Sequence, residues 1–222
     1  MSNPIAGEGP VDILVLVSGS GTNLQALIDA EKQGRLSPGR IVGVVSDRGE
    51  AFALKRAAAA GFPALTEPVN RRLPREERRG ELSRRILGIA RERNIGLIVL
   101  AGFLSILEGE LIQAYGGRII NLHPSLLPKF GGEGMYGLRV HQAVLEAGEK
   151  ESGCTVHLVD AGTDTGPILL RRKVPVFPGD TAEGLAGRIH REEHIALVEA
   201  TAMMAKNLQG RIHETTGIDQ RI

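Results

Sequence analysis

The sequence contains a single cysteine, Cys154, among its 222 residues. One thiol cannot form a disulfide within the chain, and it cannot supply the set of thiolates that a cysteine-based metal site needs. The scarcity of cysteine therefore excludes a disulfide-stapled scaffold and a cysteine metal site. So few cysteines are typical of a protein from a reducing compartment.

The chain also lacks an excess of either charge, since 27 Lys and Arg face 26 Asp and Glu, for a net charge of +1. This balance gives no electrostatic reason to expect nucleic acid or an acidic membrane surface as partner, and a small molecule is the expected ligand. The sequence contains no run of eighteen apolar residues, and residues 1–10 lack the basic and apolar regions of a signal peptide. We therefore expect a soluble, cytoplasmic protein with a flexible N-terminus over 1–10 and one domain over 11–222.

Short apolar runs alternate with amphipathic segments along the whole chain. This alternation predicts an α/β fold, a single-domain doubly wound sheet whose strands are mostly parallel. Strands are predicted at 11–17, 41–45, 63–65, 97–100, 154–159 and 168–176, with a further strand ending at His123. Helices are predicted up to residue 33 and at 51–60, 74–93, 140–147 and 181–209, the last capped by Asp180 or Thr181.

A glycine loop, Ser18-Gly-Ser-Gly-Thr-Asn23, joins the first strand to the first helix. Its glycines permit a tight turn, and free N–H groups at the helix start, aided by Thr22 and Asn23, can bind a phosphate. A dinucleotide fingerprint is the alternative, with Asp47 placed to contact a ribose, but Leu24 replaces its third glycine. A plain helix cap is the third interpretation, so the pattern alone leaves three interpretations open.

The strand that ends in Asn121-Leu-His123 delivers an amide and an imidazole on one face at its carboxyl end, because side chains alternate along a strand. Ligands of open α/β sheets bind beyond that end, and both groups can donate hydrogen bonds to a developing oxyanion. The alternative is a pair of polar residues that cap a turn. Leu127–Pro128, just beyond, is expected to be a cis peptide bond.

Two loops and one turn accompany this strand. The run 101–107 is unusually apolar for a loop and either lines a pocket for a flat ligand or belongs to the core. Four glycines between 131 and 137 indicate a mobile flap beside the site. Asp160 and Asp164 share a glycine-bearing turn, where aspartate is common for structural reasons alone.

The remaining histidines give weaker indications of a functional role. His190 and His194 fit the His-x-x-Glu-His metal pattern, but zinc requires a third protein ligand, so a polar helix face or a contact to substrate hydroxyls is the favoured interpretation. His141 and His157 are interpreted as structural. No Gly-x-Ser-x-Gly nucleophile motif is present.

Taken together, these segments resemble the folate-dependent formyltransferases over nearly the whole chain. The resemblance rests on 18–23, on Ala101-Gly-Phe103 with Ile106-Leu107, on Asn121-Leu-His-Pro-Ser-Leu-Leu-Pro128, on Asp164-x-Gly-Pro167, and on Glu193-His194. It implies transfer of the formyl group of 10-formyltetrahydrofolate to a phosphoribosylglycinamide amine, without a metal. It also implies a nucleotide-binding N-terminal half and a folate-binding C-terminal half.

The resemblance further implies a role for individual residues. Asn121, His123 and Asp164 would be catalytic, with Asp164 raising the pKa of His123 and relaying a proton. Substrate phosphate and ribose would be held by Gly21, Thr22, Asn23 and Glu193. The folate would lie against Leu104, Ser105, Ile106 and Leu107 and the 161–164 turn, with Arg75 near its tail.

Two departures from the family pattern affect the folate side, because 131–137 is longer than in many members and Ser105 stands where many carry arginine. Methionyl-tRNA formyltransferase and formyltetrahydrofolate hydrolase remain alternatives, although each normally has a further domain. A noncatalytic nucleotide-binding sensor is the alternative from another class. A homodimer is left open.

Overall fold

The computed structural model describes residues 9–216, so most of the predicted flexible N-terminus lies outside the described part of the chain. The strands are β1 (Val11–Val17), β2 (Gly39–Ser46), β3 (Ala64–Thr66), β4 (Leu97–Leu100), β5 (Ile119–His123), β6 (Glu151–Leu158) and β7 (Ile168–Pro175). The helices are α1 (Thr22–Lys32), α2 (Phe52–Ala59), α3 (Arg78–Glu92), α4 (Glu110–Ala114), α5 (Leu138–Glu146) and α6 (Ala182–Thr216).

The strands form one sheet in the order β3-β2-β1-β4-β5-β6-β7. Strands β1 to β5 are parallel, whereas β6 and β7 pair antiparallel at one side. The chain winds outward from β1 in both directions, so β1 and β4 flank the point where the strand order reverses. The loops after these two strands diverge there and leave a crevice at their carboxyl ends.

Apolar side chains cover both faces of the sheet. Along β1, Ile13, Val15 and Val17 pack on the face covered by α1, α2 and α6, while Leu14 and Leu16 pack on the face covered by α3 and α4. A strand buried on both faces has a continuous apolar sequence, which is what 11–17 shows. The doubly wound, mostly parallel fold predicted from the sequence is confirmed.

Element boundaries differ where local turns replace regular structure. α3 begins at Arg78, not at the predicted residue 74, because Glu77 N–H bonds to the Pro74 carbonyl in a turn. The five-residue α4 was not predicted, since it is too short to show helical periodicity. Thr181 caps α6 through a hydrogen bond from Gly184 N–H at 3.1 Å, and Leu127–Pro128 is cis as predicted.

Within residues 9–216 no helix combines the length and apolar character that crossing a membrane would require.

Candidate active site

A cavity of about 780 Å³ opens at the carboxyl ends of β1, β4 and β5. Its walls come from the glycine loop, the 101–107 loop, the end of β5, the 131–137 flap and α6. The predicted site residues all line it: Gly21, Thr22, Asn23, Arg75, Leu104, Ser105, Ile106, Leu107, Asn121, His123, Asp164 and Glu193. Residues from Gly21 to Glu193, far apart in the sequence, are thus gathered around one cavity.

Asn121, His123 and Asp164 form a polar cluster on one side of this cavity, in which His123 is buried and the other two are partly buried. Asn121 Nδ2 donates to Asp164 Oδ1 at 3.3 Å, and His123 Nδ1 lies 3.3 Å from Asp164 Oδ2. Asp164 has a left-handed backbone with φ of 59°, which turns its carboxylate toward β5. Asp160 is instead the turn former, accepting hydrogen bonds from Gly162 N–H and Thr165 Oγ1.

Both ring nitrogens of His123 face hydrogen-bond acceptors, the Asp164 carboxylate at Nδ1 and the Phe130 carbonyl 2.8 Å from Nε2. Only a doubly protonated ring can donate to both. Burial nevertheless lowers the pKa of His123 below its ordinary value, and the raising effects of Asp164 and the Phe130 carbonyl do not offset it. Asp164 thus acts to raise the His123 pKa, as expected, but the net shift is downward because the side chain is 4% exposed and desolvation dominates.

Asp164 is held as a carboxylate by its surroundings. Burial raises its pKa, but the neighbouring imidazoles of His157 and His123 and the Gly132 N–H together bring the pKa below the ordinary value. The Gly132 N–H donates to Asp164 Oδ2 at 3.0 Å. The flap is thereby tied to the cluster by its backbone.

His157 belongs to this cluster as well, although the sequence indicated a structural role. It lies opposite Asn121 in the antiparallel β5–β6 pair. Its Nδ1–H donates to the Leu158 carbonyl at 2.9 Å, so Nε2 is left as the acceptor for Asn121 Nδ2 at 3.1 Å. His157 thus sets the orientation of the Asn121 amide, a relation that depends on strand register and leaves no signal in a single sequence.

The glycine loop closes tightly at the start of α1. Gly21 precedes the helix with φ of 74°, and a side chain there would reach within 2.6 Å of the Ala53 Cβ. Gly19 is different, because an added Cβ would meet nothing within 4 Å. Buried Asn23 donates from Nδ2 to Glu193 Oε2 at 3.2 Å, linking the loop to α6. The residues predicted to bind the phosphate and the ribose therefore lie next to each other.

Asp47, the residue that a dinucleotide site would use, has another contact. Its Oδ2 accepts a hydrogen bond from Ser105 Oγ at 2.6 Å, and the side chain is buried. Ser105 is thus hydrogen-bonded to the residue that follows β2. The position where many family members carry arginine is therefore held by a contact within this protein. Leu104 N–H donates to Ser18 Oγ at 2.8 Å and fixes the two loops of the crevice together.

The outer part of the cavity is basic and bordered by the flap. Arg75 lines it from the turn before α3, and Arg78 and Arg79 line it from the first turn of α3. Arg79 pairs with Glu133 of the flap. Arg75 is exposed. An anionic ligand tail would meet several guanidinium groups there.

His190 and His194 lie on successive turns of α6 with ring centroids 5.7 Å apart. His190 Nε2 is 3.1 Å from Thr22 Oγ1, so its neighbour is the glycine loop. In the described part of the chain, no group of three or more His, Cys, Asp or Glu side chains is placed to hold a metal ion.

Known proteins resemble this chain in sequence and in structure. A family model described as "Formyl transferase" matches residues 11–201. The phosphoribosylglycinamide formyltransferase of Escherichia coli (strain K12) is 40% identical over 83% of this chain and 82% of its own length. The crystal structure of glycinamide ribonucleotide transformylase 1 from Symbiobacterium toebii has a TM-score of 0.81 at 41% identity, covering 89% of each chain.

A longer relative is similar only in part. The "Trifunctional purine biosynthetic protein adenosine-3" of Drosophila pseudoobscura pseudoobscura is 43% identical over 91% of this chain. This chain spans 14% of the length of that relative. The similarity therefore covers one section of the longer protein.

Proposed function

The chain belongs to the formyl transferase family, and we propose that it transfers the formyl group of 10-formyltetrahydrofolate to the amine of 5'-phosphoribosylglycinamide in de novo purine (IMP) biosynthesis. The observation that carries the proposal is that one cavity joins the Asn121, His123 and Asp164 cluster to the glycine loop. A phosphate bound at that loop would present an attached amine toward the cluster. The named substrate of the Escherichia coli relative has both groups.

Formyl transfer begins when the neutral amine attacks the formyl carbon and the carbonyl oxygen becomes an oxyanion. Asn121 and His123 supply the N–H donors that stabilise this charge. His123 Nε2 now donates to the Phe130 carbonyl, so that hydrogen bond must be released before Nε2 can serve the substrate. The Asn121 N–H in its long 3.3 Å bond to Asp164 is the one that the oxyanion takes over.

The attacking nitrogen then carries an extra proton, and the bond from the formyl carbon to N10 of the folate breaks. Asp164, kept ionised by its hydrogen bonds, accepts the amine proton through water and passes it to the leaving N10. Its charge also opposes the loss of the His123 proton on burial. No step of this scheme uses a metal ion.

The two substrates bind on opposite sides of the cluster. Backbone N–H groups at Gly21, Thr22 and Asn23 hold the phosphate at the start of α1, and Glu193 accepts hydrogen bonds from the ribose hydroxyls. The folate lies along 104–107, where Leu104 is 42% exposed and Leu107 is buried. Arg75 contacts the acidic tail of the folate at the cavity mouth.

The proposal is tested by a formyl-transfer assay with candidate acceptors side by side, followed by the folate difference spectrum. We expect turnover with phosphoribosylglycinamide and none with methionyl-tRNA or with water alone. Turnover with methionyl-tRNA would instead indicate a methionyl-tRNA formyltransferase. Hydrolysis in water would indicate a formyltetrahydrofolate hydrolase. Binding of either ligand without turnover would identify a nucleotide-binding sensor instead.

A further inference from the structure

The 131–137 flap contacts the polar cluster through its backbone. Gly132 N–H donates to Asp164 Oδ2 at 3.0 Å, and the Phe130 carbonyl, at the base of the flap, accepts from His123 Nε2 at 2.8 Å. Both side chains are proposed to act in formyl transfer, and here the backbone occupies one polar atom of each. The flap must therefore move before His123 Nε2 can donate to a substrate.

The backbone of the flap is suited to such a movement. Phe130 has a left-handed φ of 57°, which is uncommon for a residue with a large side chain. Gly132, Gly134 and Gly137 also have positive φ, and an added Cβ at each would meet nothing within 4 Å in the described part of the chain. Close packing therefore does not fix these positions, and polar contacts hold the flap where it lies.

One of these polar contacts lies at the mouth of the cavity. The Glu133 carboxylate forms an ion pair with the Arg79 guanidinium of α3, and both residues line the cavity. Their side chains are 60% and 39% exposed, so a ligand in the cavity can reach the pair. An exposed ion pair is weak, and a guanidinium binds any carboxylate of suitable geometry. A carboxylate on a ligand can therefore take the place of Glu133.

The neighbouring Arg78 is bound in a different way. Its Nε donates to the Leu73 carbonyl at 2.9 Å and its Nη2 to the Arg71 carbonyl at 3.0 Å, so backbone atoms use its donors. Arg79 is instead bound by an acidic side chain that belongs to the flap. The glutamate tail of a folate carries carboxylates, the same chemical group that Glu133 presents to Arg79.

We propose that Glu133 is a specificity-determining residue, which holds Arg79 until the acidic tail of a formyl donor displaces it. Displacement releases the flap, whose backbone then leaves the polar atoms of the cluster available to the substrates. A donor with an uncharged tail leaves Glu133 in place and is used more slowly. The inference rests on the proposed function and adds to it a selection for donors that carry an anionic tail.

The test uses steady-state kinetics with two formyl donors, 10-formyltetrahydrofolate and the analogue whose glutamate is replaced by an uncharged alkyl amide. Glu133→Gln removes the competing charge, so kcat with the uncharged donor should rise about two- to fivefold, the factor expected for an exposed ion pair. Arg79→Gln breaks the same pair from its other side and should raise that kcat by the same factor.

The two variants should have opposite effects on binding. Calorimetric titration with tetrahydrofolate, which keeps the acidic tail and needs no turnover, should show binding about two- to fivefold tighter in Glu133→Gln and weaker in Arg79→Gln. Neither variant should change the affinity for tetrahydrofolate with the uncharged tail. Glu76→Gln, the same change at an exposed acid just before α3, is the matched control and should behave as the wild type.

A Glu133→Gln protein with unchanged kcat for the uncharged donor, or with no gain in tetrahydrofolate affinity, would overturn the proposal. Equal gains in Glu76→Gln would overturn it as well, because they would indicate a general effect of charge at the cavity mouth. The formyl-transfer assay separates this failure from that of the function. An active wild-type enzyme with either of these results disproves the role of Glu133 alone, and a wild-type protein that formylates no candidate acceptor disproves the function.

Discussion

The two ends of the cavity are built in opposite ways. At the proposed phosphate end, the proposed binding groups are backbone N–H groups at the start of α1, which follow the left-handed backbone of Gly21. At the proposed transfer end, the proposed groups are the side chains of Asn121, His123 and Asp164, which contact His157 and the backbone around 130–132. The first end should therefore be sensitive to added bulk, and the second to the loss of single polar atoms.

The largest effect is expected from His123→Ala at the transfer end. Loss of one oxyanion donor costs about a hundred- to a thousandfold in rate, so kcat should fall by that factor while both ligands still bind. Steady-state kinetics measure the fall, and calorimetry checks binding. A folded variant with near wild-type kcat would show that His123 is not a donor in the transition state.

At the proposed phosphate end, Gly19→Val adds bulk without disturbing the packing. The new side chain has space in the protein and extends into the cavity region that the phosphate would occupy, so phosphoribosylglycinamide should bind about a hundredfold more weakly, equivalent to losing roughly two hydrogen bonds to a charged group. Folate affinity should stay the same. Calorimetric titration with each ligand measures both.

Gly21→Val is a less informative change, because the added Cβ would collide with Ala53 and the residue would have to keep its φ of 74°. It is expected to lower the melting temperature, whereas Gly19→Val leaves it unchanged. If Gly19→Val weakens both ligands equally, or leaves the ribonucleotide affinity intact, the loop does not hold the phosphate.

A smaller effect is expected from His157→Leu, which removes the acceptor that orients Asn121. Losing this bond should lower kcat about tenfold, corresponding to roughly 1 to 1.5 kcal/mol, with KM for both substrates unchanged. His157→Gln offers an oxygen acceptor and should recover part of the rate. A change in KM alone, or no recovery by glutamine, would indicate that His157 only supports the fold.

The same contrast explains what the sequence could predict. The strands, the glycine loop and the Asn121–His123 pair follow from periodicity and turn chemistry, which are local in the chain. The role of His157 depends on antiparallel register with β5, and the hydrogen bond of Ser105 to Asp47 joins positions far apart in sequence. The net pKa shift of His123 depends on burial, which composition does not reveal.

Asp164 and His123 are proposed to act as one unit on the transferring formyl group. The most direct measurement is kcat for His123→Ala, Asp164→Asn and the double variant. Residues of one unit have non-additive effects, so the double variant should be no slower than the slower single variant by more than about a factor of three. A double variant whose loss equals the product of the two single losses would contradict the account.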